Sequence, residues 1–126
     1  LDKAVVVTDA GYYIKALNGF PGPFIKFVNN WFKTDDLLRL MNGITDRTVE
    51  SPICVAYCEP NGEPISFTSK NEGTLAQEPQ GEGSTIDQLY IPKGYSSTIG
   101  TLPEEERLSL WNTNCWKELA QHLTKK

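Results

Sequence analysis

The sequence predicts an α/β fold, with a mixed central β-sheet flanked by helices, and three observations carry that expectation. Short β-branched runs at residues 4–8 and 53–58 have the composition of strands. Pro60, Asn61, Gly62 and Glu63 close a hairpin after the second run, because Asn-Gly tolerates the positive φ of a type I′ turn. Two further segments, near 23–32 and from Pro103 onward, carry apolar residues at helical spacing. Helices interleaved with strands, one pair of them a hairpin, predict helices packed on a sheet.

Residues 4–8 read as a buried strand and residues 12–16 as a second, more mixed stretch. Gly19, Pro21, Gly22 and Pro23 then fix a rigid turn, since glycine supplies positive φ and proline locks φ near −65°. Pro23 suits a first helical position. Phe24, Phe27, Val28, Trp31 and Phe32 predict the apolar face of the helix that follows, with Lys26 off that face. A second helix runs from Asp36 to Met41, capped by Thr34 or Asp35, closed by Gly43 and buried through Leu37, Leu38, Leu40 and Met41. Residues 65–69 return from the hairpin, and 73–77 form a further strand. Residues 78–85 are a polar, glycine-rich loop, and 86–91 read as extended. The last helix begins at Pro103, with Glu104, Glu105 and Glu106 in its first turn and Lys125 and Lys126 past its end, both favourable to the helix dipole. Its expected buried stripe is Leu108, Trp111, Cys115, Leu119 and Leu123.

A chain of 126 residues predicts one domain, large enough to bury roughly two-thirds of its unfolded surface. A formal charge of −4 argues against nucleic-acid binding, which wants a basic face. No apolar run has the length of a membrane span, and no signal peptide is visible. Cys54, Cys58 and Cys115 read as buried reduced thiols, and the expected location is cytoplasmic. The single histidine, His122, has no nucleophile paired with it in the sequence and reads as a surface or cap residue.

Two features suggest chemistry without deciding it. Asp9 follows the first strand at its C-terminal end, where open α/β sheets place ligands, and it reads either as a metal or water ligand or as a turn aspartate. Lys26, aimed by a rigid turn beside a helix N-terminus, reads either as an anion contact or as a solvated side chain.

A longer pattern joins them. Val7-Thr8-Asp9-Ala10-Gly11 is followed by Ala16-Leu17-Asn18-Gly19-Phe20-Pro21-Gly22-Pro23-Phe24-Ile25-Lys26. This run resembles the inosine triphosphate pyrophosphatase family, which hydrolyses non-canonical purine nucleoside triphosphates. The likeness continues more weakly almost to the C-terminus. It implies an elongated α/β fold with a nucleotide cleft, here lacking the family's N-terminal strand and phosphate loop. It also implies a Mg²⁺ cofactor and a nucleotide or other small phosphate-bearing ligand. A homodimer is implied, or a partner chain that covers the missing N-terminal part.

The resemblance assigns roles residue by residue. Asp9 takes the place of an aspartate that holds Mg²⁺ and helps activate the attacking water, with Ala10 beside it. The residue before it is Thr8, where the family is acidic. Lys26 takes the place of a nucleotide-binding lysine. Ser84, Thr85, Ile86 and Asp87 fall on the base-binding segment, with Asp87 on the family aspartate and Ile86 in place of the stacking aromatic. Base stacking of that kind is worth roughly 1–3 kcal/mol. Arg107 replaces a phosphate-binding lysine, and Asn112 and Thr113 stand where histidine and arginine read the purine edge.

Three functions stay open on this reading. The chain is a Mg²⁺-dependent pyrophosphatase, releasing a monophosphate and pyrophosphate; a non-catalytic relative that binds a nucleotide or small anion; or an assembly subunit whose partner supplies the missing loop.

Overall fold

The structure is a computed structural model and describes residues 2–110 and 114–125. The α/β fold expected of the sequence is the one observed. Its strands pair antiparallel and fall into two sheets. The first sheet has the order β1–β5–β6, formed by Val5–Ala10, Ile53–Cys58 and Ile65–Ser69. The second has the order β3–β2–β4–β7–β8, formed by Pro21–Gly22, Tyr12–Ile14, Thr48–Glu50, Glu72–Leu75 and Tyr90–Pro92.

Three chain segments cross from one sheet to the other. β1 passes into β2 through Gly11, β4 into β5 through residues 51–52, and β6 into β7 through residues 70–71. The corner keeps its backbone paired: Gly11 N–H donates to Pro52 O at 3.3 Å, and Ser51 and Asn71 exchange bonds of 2.7 and 3.3 Å. A bend that left these buried groups unpaired would cost free energy, so the ladder continues across it.

The larger core lies on the second sheet, where Tyr12, Ile14, Val49, Leu75 and Tyr90 meet Leu37 of α2 (Thr34–Leu40), Met41 at its C-cap, and Ile86, Leu89 and Ile99. The smaller core joins Ile53 and Val55 to Cys115 and Leu119 of α4 (Asn114–Thr124). The Cys115 amide donates to Ser69 Oγ at 2.7 Å and ties that helix to β6.

Several local expectations are corrected. The valine run is not buried: β1 is an edge strand, and Val6 and Val7 are 46% and 58% exposed. α1 is Ile25–Trp31, and it turns a different stripe inward. Ile25, Val28, Asn29 and Phe32 are buried or half-buried, whereas Phe24, Phe27 and Trp31 face out. The two stripes differ by one residue, about 100° of helix. α2 ends at Leu40, with Leu37 and the C-cap Met41 buried but Leu40 exposed. The turn after β5 closes between Glu59 O and Gly62 N–H, with positive φ at Asn61 alone, so it is not the two-residue type I′ form. Residues 84–89 are a turn, and only Tyr90–Pro92 is strand. The C-terminal region holds α3 (Glu104–Leu110) and α4, with Leu108 and Leu123 exposed. Trp111 lies outside the described residues. Cys54 and Cys58 are half-buried and Cys115 fully so. His122 stands against the rings of Tyr57 and Phe67.

Candidate functional site

The site grows from one close backbone approach. Gly11, between β1 and β2, packs on Gly22 of β3 so tightly that a Cβ on Gly11 would lie 2.9 Å from Gly22 O. Gly22 holds φ of 58°, which favours glycine. This contact places the end of β1, with Asp9 and Ala10, beside the turn that launches α1 and Lys26.

Asp9 pairs across the sheet with Cys54 and so shares its face, away from the face that Ile53 and Val55 turn to α4. Its side chain is exposed, and Oδ1 accepts the Ala10 amide at 3.0 Å. Lys26 is also exposed. Neither Asp9 nor Lys26 is in an ion pair among the described residues.

The 84–87 segment is a capped turn. Asp87 Oδ2 accepts the Ser84 amide at 3.2 Å, and Ser84 Oγ accepts the Asp87 amide at 3.3 Å. Such reciprocal caps satisfy amides that have no partner inside the turn. α1 holds the turn from the other side: Asn29 Oδ1 accepts the Ile86 amide at 3.1 Å, and Thr85 Oγ1 donates to Phe32 O at 2.6 Å. The helix bearing Lys26 is therefore docked on the segment bearing Asp87. Thr85 and Ile86 point inward, with Ile86 only 2% exposed and inside the larger core. The Ile86 side chain is a packing element, and the aromatic it replaces in the resemblance has no counterpart in an open cleft here.

Arg107 meets the same region from α3. Its Nε donates to Leu102 O at 3.1 Å, and one terminal nitrogen donates to Gly100 O at 2.9 Å and Glu82 O at 3.4 Å. The guanidinium fork thus clamps three carbonyls. Gly100 in turn donates its amide to Asp87 O at 2.7 Å. Asp87 and Arg107 share a cavity of about 520 Å³ with Ile99, Leu102 and Leu110. Asn112 and Thr113, the remaining expected ligand contacts, lie outside the described residues.

Tyr12 and Tyr90 form an edge-to-face pair at 5.1 Å beneath this region. Burial raises the Tyr12 pKa well above its ordinary value, and the Asp87 carboxylate and Tyr90 push the same way. The Ser51 hydroxyl pulls it partly back, although the two groups do not meet in hydrogen-bond geometry. Burial, then the Glu72 carboxylate, pushes the Tyr90 pKa up to about 12.

A family model for the Ham1 family matches residues 1–112. The chain belongs to the Ham1 family. The resemblance drawn from residues 7–26 is to this same group. A dITP/XTP pyrophosphatase of Methanopyrus kandleri is 40% identical over 111 residues, covering 87% of this chain and 59% of the relative. One from Methanothermobacter marburgensis is 34% identical over 127 residues, covering 98% and 67%. Among solved structures, a HAM1 protein from Coxiella burnetii superposes with a TM-score of 0.82 at 21% identity, covering 98% of this chain and 68% of that one. A nucleoside-triphosphatase / dITP/XTP pyrophosphatase from Mycobacterium abscessus gives 0.78 at 24% identity, covering 95% and 65%. These two structures bear on the fold alone. The Ham1 chain described here spans 59% of the Methanopyrus relative's length and 58% of that of a Methanosarcina mazei relative.

The Ham1 motif residues cluster around the Gly11–Gly22 contact and the turn docked on α1. Asn29, which the sequence did not single out, holds the turn on α1, while Ser84 and Asp87, expected there as ligand contacts, cap the turn instead through their Ser-x-x-Asp spacing.

Proposed function

We propose that this Ham1-family chain carries a nucleoside triphosphate pyrophosphatase site centred on Asp9. The observation that carries the reading is the Gly11–Gly22 contact, which sets Asp9 beside the rigid turn leading to Lys26. The pyrophosphatase names of its relatives support the reaction class.

In this reading a non-canonical purine nucleoside triphosphate is hydrolysed at the α-phosphorus. Water oxygen forms a bond to that phosphorus, the bond to the bridging oxygen breaks, and nucleoside monophosphate and pyrophosphate leave. Asp9 accepts the Ala10 amide through Oδ1, which fixes the carboxylate and leaves Oδ2 for a metal or for the attacking water. One exposed carboxylate suits Mg²⁺, which is commonly held by one or two carboxylates together with substrate phosphates. Among the described residues no group of three or more acidic, histidine or cysteine side chains gathers for a metal, so substrate phosphates and water would complete the shell. Bound there, Mg²⁺ would neutralise charge developing on the phosphates.

Lys26 supplies a mobile cation to the phosphates. Ser84 and Asp87 present the rim of the nucleotide pocket, while Thr85 and Ile86 shape it from behind. Arg107 holds the Gly100 carbonyl and adds positive charge to the cavity that Asp87 lines. Ion-exchange separation of products from ITP, XTP, dUTP and ATP with Mg²⁺ tests the reading. A monophosphate from at least one substrate is the expected result, and intact triphosphate in every reaction would count against it.

A second reading rests on Arg107, three of whose hydrogen bonds go to backbone carbonyls. A cation so engaged suits nucleotide binding without turnover. Calorimetric binding of ITP with no product formed would select this reading over the first.

The exposed edge of β1 supports a partner as well. An apolar edge that is unpaired among the described residues invites another strand, and we assign it to a second copy or a partner chain. Light scattering that returns a monomer at all concentrations would remove this assignment.

A further inference from the structure

A separate cavity of about 320 Å³ opens where the two sheets meet, within the size range of small-ligand clefts. Three features set it apart from a packing gap. Ser51 lies at its wall and is fully buried, and Ser51 Oγ, although beside the Tyr12 hydroxyl, is the buried side-chain polar atom that, among the described residues, meets no partner in hydrogen-bond geometry. Buried hydroxyls are normally satisfied, so an unmet one at a cavity wall points to a ligand or water that meets it.

Next, Lys70 and Lys93 reach the same cavity from different elements, and neither is in an ion pair among the described residues. Their backbones are held close together: Lys93 N–H donates to Glu72 O at 2.9 Å, and Asn71 is bonded to Ser51 across the corner. In a chain of net charge −4 this convergence is a local feature, not general basicity. Finally, Glu72 and Tyr90 line the same cavity and offer a carboxylate acceptor and a phenolic hydroxyl. Two lysines against one glutamate leave the lining net positive by one charge. The apolar parts of Pro92, Ile99 and Leu110 close the rest.

The geometry points to a binding site for a small phosphate monoester, its phosphate held between Lys70 and Lys93 and its hydroxyls meeting Ser51 and Glu72. Lysine ammonium groups bind phosphate by charge-assisted hydrogen bonds, and Glu72 favours a ligand that also carries donors. The site uses none of Asp9, Lys26 or Arg107, although it adjoins the cavity that Asp87 and Arg107 line. It shares only the Ile99 and Leu110 walls with the cavity lined by Asp87.

Amide NMR titration with ribose 5-phosphate tests it, with inorganic phosphate and ribose as controls. Saturable shifts at Asn71, Glu72 and Lys93 are expected, with the ester binding more tightly than either control. Lys70→Gln combined with Lys93→Gln weakens binding by at least about tenfold, or 1.4 kcal/mol. Ser51→Ala weakens ribose 5-phosphate but not inorganic phosphate, and Asp9→Asn leaves both unchanged. Absence of saturable shifts at these amides would overturn the site. So would affinity that the double lysine variant retains, or inorganic phosphate binding as tightly as the ester.

Discussion

Gly11 lies against Gly22 with no room for a side chain between them: a Cβ on Gly11 would stand 2.9 Å from Gly22 O and equally close to the Tyr13 ring. The contact sets the end of β1 against the turn that starts α1. Gly11→Ala must push these two segments apart, and overpacking of this kind costs about 1–3 kcal/mol. A lowered urea midpoint is expected in that variant. Wild-type stability would show that the approach is looser than described.

Ile86 tests whether the segment that the family resemblance reads as base-binding is an open platform or part of the core. It is 2% exposed and packs with Leu89 and Ile99. Ile86→Ala therefore leaves a cavity and costs about 2–5 kcal/mol. Ile86→Trp, which restores an aromatic, is also destabilising, because the ring has no cleft to enter. A tryptophan variant of full stability and tighter ITP binding would place the side chain at the substrate instead.

Arg107 clamps the carbonyls of Leu102 and Gly100 through different nitrogens. Lysine keeps the charge but not the fork. Arg107→Lys should lose about 1.5–3 kcal/mol in a denaturation curve, the range for hydrogen bonds that involve a charged group. If lysine restores stability, charge alone is what the position supplies.

These residues show what the sequence could and could not reveal. The strands at Ile53–Cys58 and Ile65–Ser69 are legible because alternation and a turn bound them. The rigid Pro-Gly turn is legible because its chemistry is local. The exposure of β1 is not, since Val5, Val6 and Val7 have the composition of a buried strand and only sheet order reveals the edge. The facing of α1 fails for a similar reason. Two apolar stripes lie one residue apart, and tertiary docking through Asn29 and Phe32 chooses between them. In the candidate site, Asp9 and Lys26 come forward as candidates because they stand in a linear motif. The inward turn of Ile86 could not, because it depends on Gly81 and Gly83 at φ of 78° and 117° and on the Ser84–Asp87 cap.

Tyrosine ionisation gives a check on the buried pair beneath the site. Burial, then the Glu72 carboxylate, pushes the Tyr90 pKa up to about 12 from an ordinary value of 10.0, and burial raises that of Tyr12 as well. The unfolded chain releases these protons first, so stability is full below pH 10 and falls as pH rises from there toward 12. Unfolding midpoints measured across that range should drop, and Tyr90→Phe should flatten the fall. A flat wild-type profile would contradict the burial of both hydroxyls.

Asp9 is the centre of the functional account, and Asp9→Asn tests it most directly. The side chain is exposed, with a single local hydrogen bond, so the substitution leaves folding intact. Pyrophosphate release from ITP, XTP and dITP with Mg²⁺ would be measured for both proteins, alongside their urea midpoints. Release by the wild type, its loss by at least about a hundredfold in the variant, and equal midpoints are expected. Equal release by both proteins would contradict the central role of Asp9.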